Sequence, residues 1–282
     1  MRVLVTGSGG MLARDLIPLL SSRGHETLAP AERELDITDS ERVNGTIARI
    51  RPEIVINCAA YTKVDDAEAH EAEATRINGD GVRNLCLACK TADIPLVHFS
   101  TDYVFNGRKA APYTIGDTPG PVSAYGRSKL AGEEHMRKLL KKYYLVRTSW
   151  LFGLHGPNFI ETMLKLAESR KSVDVVNDQK GCLTWTVHLS QAVAELINTE
   201  RYGIYHITNS GVTTWYDFAV EIFRLAGIDM KVIPVRTDQF PRPARRPANS
   251  VLDPAPLPEV LGREMPPWQE ALAEYLKLRG SE

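Results

Sequence analysis

No stretch of this 282-residue chain approaches the roughly 18 consecutive apolar residues that a bilayer crossing requires. The opening Met1-Arg2-Val3-Leu4-Val5-Thr6 is too short an apolar run for a secretory leader, and glycines end it. Net charge is almost absent, at -1 with histidines neutral. That speaks against a nucleic-acid partner, since such domains usually carry a basic excess. Cysteines number only four. Cys86 and Cys89 have the spacing of a ligand pair, but they lie in an apolar helical stretch with no second Cys or His pair nearby to complete a zinc site. They, Cys58 and Cys182 read as small buried hydrophobes. No internal repeat or low-complexity tract occurs, and Pro254-Ala255-Pro256-Leu257-Pro258 is only a stiff connector. What remains is an ordinary globular composition, 43% hydrophobic and 24% charged, in a chain long enough for one large or two modest domains. A cytoplasmic enzyme, without membrane or nucleic acid, is the expectation.

The first strand runs straight into Gly7-Ser8-Gly9-Gly10-Met11-Leu12-Ala13. In this G-x-x-G-x-x-A spacing Gly7 permits a tight turn, Gly10 lets backbone approach a pyrophosphate, and Ala13 allows close helix packing. The helix that follows offers free N–H groups and a favourable dipole to phosphates. Pro18 should kink that helix and Gly24 should stop it. Glu26–Leu28 is the second strand. Dinucleotide folds place an acidic residue near its end for the ribose hydroxyls, or an arginine for a 2′-phosphate. Here Ala31 holds that position, with Arg33 just beyond and Asp36-Ile37 further on. The cofactor indicated is NADPH, with NADH left open by Glu32 and Glu34.

Ile54–Ala60 reads as a buried central strand, Asn78–Lys90 as an amphipathic helix, and Pro95–Phe99 and Tyr144–Thr148 as further strands. Such alternation predicts an α/β class, with a doubly wound (Rossmann) parallel sheet. Residues 1–150 plus 186–210 form the expected dinucleotide unit. Residues 151–185 plus 211–282 form a smaller α+β substrate-binding domain over the sheet's carboxyl edge.

The chemistry concentrates between Ser100 and Lys129. Tyr125 and Lys129 are four apart at a helix start, so they share a face. An unperturbed tyrosine titrates near about 10, and a fixed cation nearby is expected to lower that value. Thr101, ending the preceding strand, can offer a hydroxyl to the same reacting oxygen. The three make a proton-transfer device aimed at a carbonyl or an alcohol.

These residues, with Asn57-Cys58-Ala59-Ala60-Tyr61-Thr62-Lys63-Val64-Asp65, Ser100-Thr101-Asp102-Tyr103-Val104-Phe105 and Tyr125-Gly126-x-Ser128-Lys129-x-Ala131-Gly132-Glu133, carry a resemblance. It continues through Arg147-Thr148-Ser149-Trp150, Asn177-Asp178-Gln179-x-Gly181, Thr213-Thr214-Trp215 and Arg246-Pro247-x-x-Ser250. Over nearly its whole length the chain resembles the extended short-chain dehydrogenase/reductases, and among them those acting on dTDP-linked 6-deoxyhexuloses. The resemblance implies NADPH-dependent reduction of the C4 keto group of dTDP-4-dehydro-L-rhamnose to dTDP-L-rhamnose, with Thr101, Tyr125 and Lys129 catalytic. It implies cofactor contacts at Gly7, Gly9, Gly10, Met11, Leu12, Arg33, Asp36, Ile37, Ala59, Ala60, Tyr61, Asn78, Tyr125 and Lys129. Substrate contacts would come from Lys63, Val64, Thr101, Asp102, Tyr103, Trp150 and, at the diphosphate, Arg246. A homodimer is allowed, and a Mg2+ at a subunit contact is left open with Asp15 as its one hint. Two departures stand out: Ala13 replaces the last glycine, and Cys182-Leu183-Thr184-Trp185 lacks the family's usual proline. The rivals are an epimerase or dehydratase on the same fold, and a non-catalytic regulatory subunit. Dehydratases carry Asp-Glu after the threonine where this chain has Asp102-Tyr103; epimerases carry an acid where Ala31 sits. The intact trio argues against a regulatory subunit.

Overall fold

Apolar strands and amphipathic helices alternate in the computed structural model as their periodicity dictates; it describes residues 1–280. β1 (Arg2–Thr6) runs into α1 (Met11–Ser22), β2 (Glu26–Leu28) into α2 (Ser40–Ile50), and β3 (Ile54–Asn57) into α3 (Glu71–Thr75) and α4 (Val82–Ala92). Next come β4 (Leu96–Thr101), α5 (Ala124–Leu139) and β5 (Tyr143–Thr148). Then follow β6 (Leu151–Phe152), α6 (Phe159–Ala167), β7 (Ser172–Val176), β8 (Lys180–Gly181) and β9 (Thr184–Trp185). α7 (Thr186–Leu196) and β10 (Gly203–His206) lead back to the main sheet. The order ends with β11 (Thr213–Thr214), α8 (Trp215–Ala226), β12 (Lys231–Val235), α9 (Leu257–Leu261) and α10 (Trp268–Arg279).

Side chains that compete for backbone hydrogen bonds start several helices. Asp39 accepts from the Arg42 N–H at 2.9 Å to open α2, Ser123 from Gly126 at 3.1 Å to open α5, and Thr214 from Asp217 at 3.0 Å to open α8. Pro18 does not break α1, which runs through to Ser22. The helix expected from Asn78 begins only at Val82. Residues Arg76–Gly81 form a π-helical turn instead, which brings the Asn78 amide into the interior.

The main sheet has six strands, all parallel, in the order β10-β5-β4-β3-β1-β2. After β1 the chain steps to one side for β2, then crosses back to build β3, β4 and β5 on the other. The order therefore reverses between β1 and β3, which opens a crevice at the carboxyl ends of these strands. Both faces are covered, so β3 and β4 are buried along their whole length rather than alternating. Val3, Val5, Ile54, Ile56 and Val97 pack under α1 and α7; Leu4, Val55, Leu96 and Leu145 pack under α2, α4 and α5. Leu257 of α9 and Met265 return to the α1–α7 side late in the chain. A separate core of Phe152, Trp185, Phe218, Trp268 and Tyr275 gathers α6, α8 and α10 around β7 and β12, which pair in parallel. Among the described residues no helix is long and apolar enough to cross a membrane.

One charged pair lies wholly inside. Arg147 of β5 meets Glu133 of α5 through two contacts, Nε to Oε1 at 2.9 Å and an Nη to Oε2 at 2.6 Å, with side chains 1% and 0% exposed. Ser100 of β4 donates to the same carboxylate at 2.5 Å, and the guanidinium lies 5.0 Å from the Phe105 ring centroid. Two strands and the helix are thereby tied at one point. Glu133→Leu leaves a buried cation without its partner, and urea denaturation should show a loss of about 3–5 kcal/mol. Replacing both residues, Arg147→Met with Glu133→Leu, should restore most of it. A single variant as stable as the parent would mean that the pair does not hold α5 in place.

Candidate active site

A cleft of about 510 Å³ opens at the sheet's carboxyl edge, where the strand order reverses. Its lining runs from Gly10, Met11, Leu12 and Ala13 at the start of α1, past Cys58 and Ala60, to Thr101, Tyr125 and Lys129. Trp150 and Trp215 close the far side. Gly7 takes a φ of 66°, and a Cβ there would fall 2.4 Å from the Ala59 nitrogen, so only glycine lets this turn pass the end of β3. Gly10 begins α1 without a side-chain cap, so the helix's first N–H groups are available to an anion at the cleft. Ser8 moors the turn by donating to the Pro30 carbonyl at 3.0 Å. A nicotinamide dinucleotide fits such a donor set: uncapped helix amides, and open space around the Cα of Gly9.

Thr101, Tyr125 and Lys129 all line the cleft floor. Thr101 ends β4, and its hydroxyl donates to Asp102 at 3.0 Å and accepts from the Tyr103 N–H at 3.2 Å, beside the Tyr125 phenol. The Tyr103 ring stands edge-on to Tyr125, with centroids 6.0 Å apart. Lys129 lies one turn further along α5, 2% exposed. Asn78 fixes this arrangement from behind. Its amide accepts from Tyr61 N–H at 2.8 Å, and donates to the Tyr61 carbonyl at 3.0 Å and to Ser128 at 2.9 Å.

The electrostatics differ from expectation at Tyr125. Burial, reinforced by the Asp102 charge, pushes the phenol up to about 12, and only the Thr101 hydroxyl opposes the rise. Lys129 does not offset this: burial draws the ammonium itself down to about 8, against the pull of Glu133 and Cys58. Asp102 is pushed up to about 7 by burial, although Thr101 donates to one of its oxygens; the other has no partner.

Several residues anticipated from the sequence lie away from this floor. Arg33 is exposed at a turn where the Glu34 carboxylate accepts from Ala31 N–H at 2.9 Å. Asp36 is engaged by Thr38, whose N–H and hydroxyl donate at 2.9 and 2.8 Å. Ile37 points into the core, 3% exposed, so only its backbone can meet a ligand. Ala59 packs against the Gly7 turn, and the Tyr61 hydroxyl donates to Asp66. Val64 lines the cleft, whereas Lys63 is exposed outside its lining. Arg246 is held in two contacts by Asp65, at 2.7 and 3.0 Å, and donates to the Ala244 carbonyl at 2.7 Å. The arginine-bearing loop is thereby moored to the loop after β3, and Asp178 moors its other end through Thr237 at 2.6 Å. Asp15 accepts from Thr186 at 2.5 Å and lies 3.3 Å from His155 Nε2. Among the described residues no group of three or more His, Cys, Asp and Glu is placed to hold a metal.

Three contributors, two of them within motifs quoted above, were assigned no function from the sequence. Trp215 stacks on Trp150 with centroids 3.8 Å apart and planes 10° from parallel. Trp150 itself takes a φ of 46°, rare for a bulky residue, and its ring occupies the space that a side chain on Gly181 would need. Asn57 and His98 lie buried under Lys129. The available signal was a polar residue at the centre of each of two apolar strands.

The family model described as RmlD substrate binding domain matches residues 1–280. A dTDP-4-keto-6-deoxy-D-glucose reductase from Streptomyces niveus is 45% identical over 253 residues, covering 89% of this chain and 88% of its own. A crystal structure of a dTDP-4-dehydrorhamnose reductase from Clostridium acetobutylicum superposes with a TM-score of 0.96 at 43% identity, covering 99% of this chain and all of its own (100%). One from Bacillus anthracis, in complex with NADP, gives a TM-score of 0.94 at 39% identity, with 98% of both chains covered. Matched end to end in sequence and in fold, the chain belongs to the RmlD family of dTDP-4-dehydrorhamnose reductases, nicotinamide-dependent oxidoreductases of nucleotide-sugar metabolism.

Proposed function

We propose that this chain reduces the C4 keto group of dTDP-4-dehydro-L-rhamnose with NADPH, giving dTDP-L-rhamnose. The observation that carries the reading is that Thr101, Tyr125 and Lys129 come together in the lining of a cleft that begins at an uncapped helix N-terminus. Residues 1–150 plus 186–210 would hold the cofactor, and 151–185 with much of the chain after 211 would shape the sugar-nucleotide side, although Leu257 and Met265 return to the core of the first unit. Gly9, Gly10, Met11 and Leu12 would hold the pyrophosphate, and Lys129 the nicotinamide ribose. When bound, the nicotinamide supplies hydride to the carbonyl carbon.

The protein supplies the rest. Tyr125 keeps its proton at neutral pH because burial and Asp102 hold the phenol up at about 12, so it is a proton donor to the carbonyl oxygen rather than a base. Thr101 steadies the developing alkoxide by hydrogen bonding. The stacked Trp150 and Trp215 give the sugar a flat apolar wall, and Tyr103 bounds it opposite. Arg246 faces the diphosphate from the rim, exchanging its contact with Asp65 for the phosphates. A second reading concerns the configuration at C3 and C5, because the Streptomyces niveus relative is named for a D-gluco substrate. Offering both keto sugars, with product identification by NMR, separates the two.

Tyr125→Phe removes only the hydroxyl, so NADPH binding should persist while kcat falls about 10²–10⁴-fold. Lys129→Met should cause similar damage and also weaken NADPH binding. Thr101→Val should cost on the order of 10- to 100-fold. Measuring kcat and the NADPH Kd for all three decides this: a Tyr125→Phe enzyme retaining more than about a tenth of kcat, with chemistry rate-limiting, ends the assignment.

For cofactor choice, kcat/KM should favour NADPH over NADH, and Ala31→Asp should erase or reverse the preference. A parent enzyme that prefers NADH would place Glu32 or Asp36, rather than Arg33, at the ribose.

At the rim, Arg246→Ala should raise KM for the sugar nucleotide on the order of tenfold, as loss of a charge-assisted contact implies. The NADPH Kd should stay as it is. An unaltered KM removes the residue from the diphosphate site.

A further inference from the structure

Beneath Lys129 a line of buried polar side chains crosses the sheet. The Thr6 hydroxyl of β1 donates to Asn57 Oδ1 of β3 at 2.6 Å, and the Ala59 N–H donates to the same oxygen at 3.1 Å. Asn57 Nδ2 lies 3.0 Å from His98 Nδ1 of β4, and His98 Nε2 lies 3.5 Å from Lys129 Nζ. Thr6, Asn57 and His98 are at most 1% exposed.

Donor counting fixes the protons along this line. The Ala59 backbone N–H can only donate, so the Asn57 atom facing it is oxygen and the one facing His98 is the NH2 group. His98 Nδ1 must then accept. A neutral imidazole carries one N–H, which leaves it on Nε2, aimed at the lysine. Burial, and the nearby lysine, hold His98 well below its ordinary titration range, so the ring stays neutral.

We infer that Asn57 and His98 form a positioning pair that presents an N–H to the Lys129 nitrogen, favouring the neutral amine over the ammonium. A neutral amine accepts this N–H through its lone pair; an ammonium meets it donor against donor. The other groups acting on the lysine are Glu133 on α5 and Cys58 just beyond β3, and both favour the ammonium. The inference rests on the assignment of Lys129 to the proton-transfer trio. After Tyr125 has given its proton to the substrate oxygen, an N–H bond of the Lys129 ammonium breaks and the tyrosine O–H re-forms. The freed lone pair takes up the His98 N–H, and water entering the open cleft returns a proton to the amine. A lysine that titrates near the working pH makes this resupply reversible and fast.

The test needs no turnover, so it stands apart from the proposed reaction. In the full chain labelled with 15N, long-range proton–nitrogen spectra report the tautomer of each of the seven histidines, and His98→Gln identifies the relevant signal by its loss. His98 should show a bare Nδ1 and a protonated Nε2, without titration between about pH 5 and 9. Lysine labelled at Cε should give a Lys129 titration that rises by about one unit in His98→Gln, whose amide can turn its carbonyl to the ammonium. Asn57→Asp, nearly the same shape, should invert the tautomer by accepting from Nδ1. An Nδ1–H tautomer in the parent, or a Lys129 titration unmoved in a folded His98→Gln or Asn57→Asp protein, overturns the inference. If His98→Gln fails to fold, the parent spectrum and Asn57→Asp decide the matter.

Discussion

The contact on which the site most depends carries no chemistry of its own. Arg147 and Glu133 meet in full burial, where each charge would be very costly alone. Their pairing therefore demands one placement of α5 against β4 and β5. Tyr125, Lys129 and Glu133 follow one another at intervals of four along α5, on a single inward stripe. The anchoring residue and the two proposed to move the proton are thus parts of the same helix face. Fixing the anchor fixes how deeply the phenol and the amine sit in the cleft.

Depth then sets their chemistry. Water is a better solvent for charge than the cleft floor, so burial holds the tyrosine protonated and pulls the lysine towards its neutral form. Asp102 responds in the same way, with one carboxylate oxygen lacking any partner. Each shift favours the uncharged state. Only the tyrosine is held wholly neutral at pH 7; Asp102, at about 7, and Lys129, at about 8, titrate close to it, so the charge of the cleft floor changes within the neutral range.

Much of this architecture was legible in the sequence. Apolar runs separated by amphipathic helices gave the parallel sheet, and the glycine spacing located the end of β1, because both depend on neighbours in sequence. Tyr125 and Lys129 stood out for the same reason. What the sequence did not disclose is non-local. The π-helical turn at Arg76–Gly81 is stabilised by bonds from Asn78 to Tyr61 and Ser128, 17 and 50 positions away. Arg246 reads as a free cation until Asp65 is found beside it, 181 residues earlier. The upward shift of Tyr125 was missed because spacing reveals a neighbouring cation but not the loss of solvent, and here the latter is the larger effect. Asp36 and Ile37 follow the nucleotide pattern by position, yet a turn and a core have already engaged their side chains.

Trp150 carries a consequence for how this pocket can change. Its left-handed backbone costs on the order of 1–3 kcal/mol, a strain that persists only where the surroundings over-determine it. Here those surroundings are the Trp215 ring stacked upon it and the bare Cα of Gly181 beneath. The three positions form one mechanical unit, so removing either support releases the backbone as well as the ring. Substitutions at Trp150, Gly181 and Trp215 are therefore epistatic, with effects that do not sum. A change in the shape of the cleft is easier along the loops at its mouth than through this stack, where intermediates on the way to a new shape bear the released strain without yet having new contacts.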